Sequence, residues 1–354
     1  AFHPSGDYAL VLSQYDTVHI YHWESQTTSV ISLGSNRKMQ LTDVVFASDG
    51  NCAWITATNT QNGETGMVLK FDDAIYRAQT EDSDLSETIT TFTDTMSGKS
   101  AKAIAIPWDD SFPIVAYQSG QSGNYIWTLR NFNPDTGAFE TLYTSTNASA
   151  PAEDIAIVNN EFGTWGVLVV GGSSNADAHY YTELTGQGEW RSNLGNLGNT
   201  NRAEAYPGGD YALVVSWSGR SIHRFKQGEF SGYEESPRFS SMGIWDVSFQ
   251  ADGRRALISG RASASGAAGT ILEYRHDLYS CENVTTACGE SAITDVSIWG
   301  FDNAPWQAQS NAYIFDTAFR PGCDGGILIG SYNTSSGYGF LGEFQIENGA
   351  SCRA

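Results

Sequence analysis

Short runs of apolar residues recur along this chain, each preceded by a segment of alternating apolar and small residues and by a turn rich in Asp, Gly and Pro. Tyr8–Leu12 follows PSGD, residues 52–57 follow SDGN, and residues 211–215 follow PGGD. A continuous apolar run bounded by turn signals predicts a strand buried on both faces. A Gly/Ser/Asn loop comes next, then a third strand ending in an aromatic residue: TVHIYHW at 17–23, MVLKFDD at 67–73, SIHRFKQ at 221–227 and TILEYRH at 270–276. A fourth, more polar strand closes the unit, as at 86–92 and 293–299. No 3.6-residue apolar period is sustained and proline is scarce within these segments, so strands are predicted throughout.

The unit repeats. AFHPSGDYALVLS at 1–13 and EAYPGGDYALVVS at 204–216 share PxGDYALV, and DVVFASDG from Asp43, DVSFQADG from Asp246 and DTAFRPGC from Asp316 are related. Weaker copies begin at Ala103 and Asp154. Anchoring each copy on the apolar residue before its turn gives Phe2, Phe46, Ile106, Ile157, Ala205, Phe249 and Phe319, at intervals of 44, 60, 51, 48, 44 and 70. Seven copies of about 50 residues, with four strands in each, predict an all-β, seven-bladed β-propeller of four-stranded antiparallel blades. The predicted organisation is one domain, 1–354, with repeats at roughly 1–40, 41–100, 101–150, 151–201, 202–243, 244–311 and 312–354. Repeat 7 shows no fourth strand after 340–346. A pair of β-sandwiches would not require seven copies of one unit.

The order strand, [S/A]DG or PxG turn, apolar strand, then a strand ending in an aromatic resembles WD40-type propellers. The likeness covers essentially the whole chain and is one of architecture. The third-strand Trp-Asp pair is represented by Phe71-Asp72, Tyr21-His22, Phe225-Lys226 and Tyr274-Arg275, and no Gly-His pair opens the repeats.

Charge narrows the partners. With 19 basic and 40 acidic residues the net charge is −21, which repels phosphate backbones and anionic lipid, so neither nucleic acid nor membrane insertion is expected. No apolar run reaches the 18 or so residues of a spanning helix. Of the five cysteines, Cys281 and Cys288 are expected to clip a polar loop, and Cys323 and Cys352 to tie the last residues to the body, pinning the open end of repeat 7. Cys52 lies in an apolar stretch as a lone thiol. Two bridges imply an extracellular, periplasmic or cell-surface location. Asn147, Asn283 and Asn333 head glycosylation sequons, relevant only in a eukaryotic secretory route.

Signatures of nucleophilic, zinc-dependent or dinucleotide chemistry are absent from the sequence. His19 and His22 stand three apart in one strand, on opposite faces, and His223 repeats the position of His19. One constellation does emerge. Three residues before successive anchors lie Asp43, Ala103, Asp154, Arg202, Asp246 and Asp316. At the start of the innermost strands, Asp43, Asp154, Asp246 and Asp316 would ring a central channel, an oxygen-rich set suited to Ca²⁺. The alternative is that each Asp staples its blade to the next by accepting backbone N–H bonds. The turn acids Asp49, Asp109, Asp110, Asp210 and Asp252 are what tight turns demand.

Ligand contacts are expected on Gly/Ser/Asn-rich loops at 119–124, 171–178, 259–269 and 332–337, and on the long connection 302–315. Trp306, Tyr313 and His179 are the candidate ligand-binding residues, since exposed aromatics stack on sugars or anchor proteins. The resulting expectation is a monomeric, secreted or surface-exposed binding module for a carbohydrate or protein. The alternative is a cation-dependent hydrolase or lyase with its site in the channel.

Overall fold

The computed structural model describes the chain except residues 14, 34–37, 62–63, 79–84, 108–111, 122–123, 146–147, 149, 160–164, 173–176, 183–187, 194–198, 219–220, 227–228, 234–241, 263–268, 276–292, 296–312, 332–338, 347–351 and 353–354. The pairs Cys281/Cys288 and Asp109/Asp110, Trp306, and Asn147, Asn283 and Asn333 lie outside the described residues. Two compact units divide the chain: Ala1–Ile157 with Glu183–Gly188, and Val158–Thr182 with Glu189–Ala354.

The first unit contains three sheets. β1 (Tyr8–Leu12), β2 (Thr17–His22) and β3 (Thr27–Ser32) form one, with Phe2 bridging to Ala9 beside β1. β4 (Met39–Phe46), β5 (Cys52–Asn59), β6 (Thr65–Asp72) and β7 (Ile89–Ser97) form the second. β8 (Ser100–Ala105), β9 (Ile114–Gln121), β10 (Asn124–Asn133) and β11 (Ala138–Thr144) form the third. Their pairings are antiparallel. The largely apolar character of β5 and β6 follows from packing on both sides. Ala53, Ile55, Ala57, Leu69 and Phe71 join Tyr8, Leu10, Val18 and Ile20 of the first sheet, while Trp54 and Val68 join Ile104, Val115, Tyr117 and Phe132 of the third. Side chains alternate faces along a strand, so a strand sandwiched between two sheets is apolar on both faces, with buried hydroxyls such as that of Thr58 hydrogen-bonded. Each of the larger aliphatic side chains and Phe71, fully buried, contributes about 1.5–3 kcal/mol. Strand β3, at the outer edge, is largely exposed and correspondingly polar.

A fourth sheet comprises β12 (Ala152–Asn159), β13 (Trp165–Gly171), β14 (Asp177–Thr182) and β15 (Gly188–Asn193). The second unit goes on with β16 (Thr200–Ala205), β17 (Ala212–Ser216), β18 (Ser221–Lys226) and β19 (Glu229–Tyr233). Next come β20 (Met242–Phe249), β21 (Arg255–Ala262), β22 (Gly269–Arg275) and β23 (Ile293–Asp295). A sheet of β24 (Tyr313–Phe319), β25 (Gly325–Ser331) and β26 (Gly339–Gln345) completes it. The same packing recurs: Tyr211, Leu213, Val215 and Ile222 meet Ile244, Val247, Phe249, Ile258 and Tyr274. Cys323 and Cys352 are disulfide-bonded, with Arg320 donating to the Cys352 carbonyl at 2.6 Å, so the chain end is pinned to this last sheet. Cys52 is a free thiol, and burial pushes its pKa up to about 11.

The recurring turn has one chemistry. Gly6, Gly50, Gly209, Gly253 and Gly322 all adopt positive φ, between 71° and 81°. In four of them the glycine N–H donates back three residues, as from Gly50 to Ala47 at 2.9 Å. At Gly50 a side chain would also collide with the His3 ring, whose Nε2 lies 3.1 Å from the Gly50 carbonyl oxygen. Asp49 and Asp252 accept the N–H two residues on, at 2.9 Å each, which is the turn role their position predicts.

Candidate functional site

In five of the sheets the first strand does not run in regular register with the second. β4, β8, β16, β20 and β24 each carry a β-bulge, whose extra residue is Thr42, Lys102, Asn201, Trp245 and Phe315 respectively. A bulge breaks the up-down alternation and re-aims the side chains beside it. The residue after each bulge is the aligned position Asp43, Ala103, Arg202, Asp246 or Asp316. These residues therefore sit in mid-strand, not at strand starts as expected from the sequence: Met39, Met242 and Tyr313 open their strands further upstream.

The carboxylates at this position hold backbone. Asp43 accepts the N–H of Val44 at 2.8 Å and, from the third sheet, that of Ile104 at 2.9 Å. Asp246 accepts the Thr317 N–H at 2.9 Å and its hydroxyl at 3.0 Å, joining the sixth sheet to the seventh. Asp154 accepts the N–H of Ile155 at 2.8 Å. The guanidinium of Arg202 lies 3.8 Å from Asp246. Burial raises the Asp246 pKa well above the usual carboxylate range, reinforced by the Asp316 charge and opposed by Arg202 and the Thr317 donors. Among the described residues no three His, Cys, Asp or Glu side chains gather within reach of one metal ion.

Beside this seam in the second unit lies an aromatic cluster. The Trp245 ring sits 5.5 Å from that of Trp217, tilted by 44°, and 5.6 Å from that of Phe315, nearly perpendicular. Two of the three occupy bulges, and Trp217 directly follows β17, its N–H bonded to the Asn199 carbonyl at 2.8 Å. Gly243 is the floor: a Cβ there would stand 2.6 Å from the Trp217 indole nitrogen. Trp217 is 41% exposed and Phe315 36%, although the chain had buried aromatics such as Trp127 to use for packing. The buried Nε1 of Trp245 has no hydrogen-bond acceptor among the described residues.

No family model matches the chain, and no curated protein matches its sequence. Similarity is found in three dimensions. The chain is similar to the WD40 repeats of RRP9 (TM-score 0.62, 9% identity, 98% of this chain and 93% of that one). It is similar to the β-propeller domain of Myceliophteria thermophila Cps50 (Swd1) (TM-score 0.58, 11% identity, 97% and 95%). It also resembles Raptor from Chaetomium thermophilum (TM-score 0.61, 12% identity), covering 99% of this chain and only 28% of Raptor. The fold is a WD40-like β-propeller.

In this propeller the ligand contacts expected from sequence are placed differently. His179 is 1% exposed in the middle of β14, a packing residue of its blade rather than a loop residue. Tyr313 is the first residue of β24, so the long connection ends before it. The glycine- and serine-rich connections are shorter than expected as well, because residues 119–121, 177–178 and 259–262 continue the ladders. Pairing with a neighbouring strand overrides weak β-propensity. His22 and Tyr76 stack at 6.2 Å, and His223, bonded to Ser221 at 2.9 Å, has its pKa pushed down to about 4 by burial. These imidazoles pack blades. Trp217, Trp245 and Phe315 went unnoticed in the sequence, yet a signal was there: the position before the aligned Asp is polar in Thr42, Lys102, Glu153 and Asn201 but aromatic in Trp245 and Phe315.

Proposed function

We propose that this propeller is an interaction module that binds another protein through the cluster of Trp217, Trp245 and Phe315. The observation that carries the reading is the pair of exposed rings. Trp217 and Phe315 leave large apolar faces in water on a rigid blade scaffold, and such aromatics are the anchors of protein interfaces. Phe315 sits in a strand and Trp217 directly follows one, so little ordering entropy is lost on binding. The Cys323–Cys352 bridge supports work in an oxidising compartment, at a cell surface or outside it.

An array carrying both peptides and glycans, probed with the protein and with its Trp217→Ala variant, tests this. Removing an exposed ring should leave the thermal midpoint within a degree or two, whereas Trp127→Ala, which empties a fully buried site, should cost about 3–5 kcal/mol. Peptide signals that vanish in Trp217→Ala support the reading. Signals confined to glycans would make the module a lectin, and signals unchanged by Trp217→Ala would remove the cluster from the binding face.

A further inference from the structure

We infer that the aromatic cluster and Asp316 together form a docking point for a basic side chain, preferentially arginine, on the protein partner. The inference rests on the binding reading above and narrows it to one chemistry.

Asp316 is the odd member of its aligned set. Asp43 and Asp246 each hold a backbone N–H of the following blade, but among the described residues Asp316 accepts no hydrogen bond and pairs with no cation. It is half-buried, and its charge is one of the causes that raise the pKa of the neighbouring Asp246 carboxyl. A carboxylate so placed is costly unless a donor reaches it. The guanidinium of Arg202, in the same unit, lies 3.8 Å from Asp246. The residue before Asp316 is Phe315, whose ring is exposed and packs edge-on against Trp245.

A cation is therefore favoured twice at this place. The faces of indole and phenyl rings attract positive charge, and an unneutralised carboxylate follows directly in the chain. Trp217, seated on Gly243, presents its open side as a platform. A planar guanidinium can stack on such a ring while its N–H fork meets a carboxylate, which an ammonium does less well. The surplus of 40 acidic over 19 basic residues draws basic partners from a distance and discourages anionic ones.

The test uses a short Gly-Arg repeat peptide, the same peptide with citrulline for arginine, and a lysine version, titrated by calorimetry and tryptophan fluorescence at low and high ionic strength. The arginine peptide should bind and quench fluorescence, with citrulline at least about ten-fold weaker and lysine between them. Trp217→Ala and Asp316→Asn should each weaken binding by about five- to thirty-fold, while Asp135→Asn, which neutralises an exposed acid in the other unit, should leave it unchanged. Asp316→Glu should restore part of the loss, and thermal midpoints verify folding. Equal binding of the citrulline peptide, or equal losses in Asp135→Asn and Asp316→Asn, would overturn the inference in favour of diffuse charge attraction. Array peptides that are neutral and still depend on Trp217 would also overturn it, and the binding reading would stand.

Discussion

Asp246 offers the sharpest test of how blades are joined. Its side chain is buried at 4% exposure, yet it holds two donors of Thr317 and stands near Arg202. Asp246→Ala removes the acceptor and strands the buried Thr317 N–H. Breaking a buried, hydrogen-bonded charge costs about 3–5 kcal/mol, most of it the penalty of the donors left behind. Asp246→Asn keeps one oxygen for Thr317 and removes the charge, so the lost Arg202 attraction is offset by relief of desolvation and of repulsion from Asp316. Its net effect should stay within about 1 kcal/mol at neutral pH. The two variants also separate through pH. Because the folded-state pKa of Asp246 lies above its unfolded value, near 3.9, the folded protein keeps a proton that the unfolded chain has released. Stability from this group is thus complete below about pH 4 and declines as pH rises through the raised folded pKa. Urea midpoints measured across the acid-to-neutral range should show that decline in the parent and a flatter profile in Asp246→Asn. Parallel profiles, or an Ala variant as stable as the Asn variant, would refute the buried-staple account.

Reduction should shift the intact mass by the two hydrogens of Cys323–Cys352, and Cys352→Ser should lower stability by up to about 3.6 kcal/mol, the chain-entropy value for this loop; an unchanged urea midpoint would mean that the Arg320 and Gln345 contacts suffice to hold the chain end. Gly50→Ala should destabilise by more than Gly98→Ala, because both glycines have φ near +75° but only Gly50 has the His3 ring where the new methyl would go. The strain shared by both is about 1–2 kcal/mol, and equal losses in thermal denaturation would mean that His3 moves aside freely.

Much of the architecture was legible because it depends on short-range rules. The PxGD and SDG turns need a glycine at positive φ, and residues 6, 50, 209 and 253 supply it in register with the apolar runs. The doubly buried β5 and β17 read as continuous apolar segments because each has a sheet on either side. The staple role of Asp43 and Asp246 was one of two readings the spacing allowed, and the acceptors' geometry favours it. The aromatic cluster was less accessible, since Trp217 and Phe315 are nearly a hundred residues apart and the chain holds ten tryptophans that could equally be core.

The one-dimensional pattern therefore carried the class of fold, the repeat and its turns, because strand alternation, glycine φ and apolar continuity are properties of neighbours in the chain. Tertiary packing decided the rest. Which residue becomes the extra one in a bulge depends on how one strand meets its partner, and no local preference of Trp245 or Phe315 encodes it. Whether a carboxylate is satisfied depends on the N–H that the next blade brings: Ile104 for Asp43 and Thr317 for Asp246. Contacts between residues some 60 to 70 positions apart, at hydrogen-bond distance, exist only once the sheets have packed.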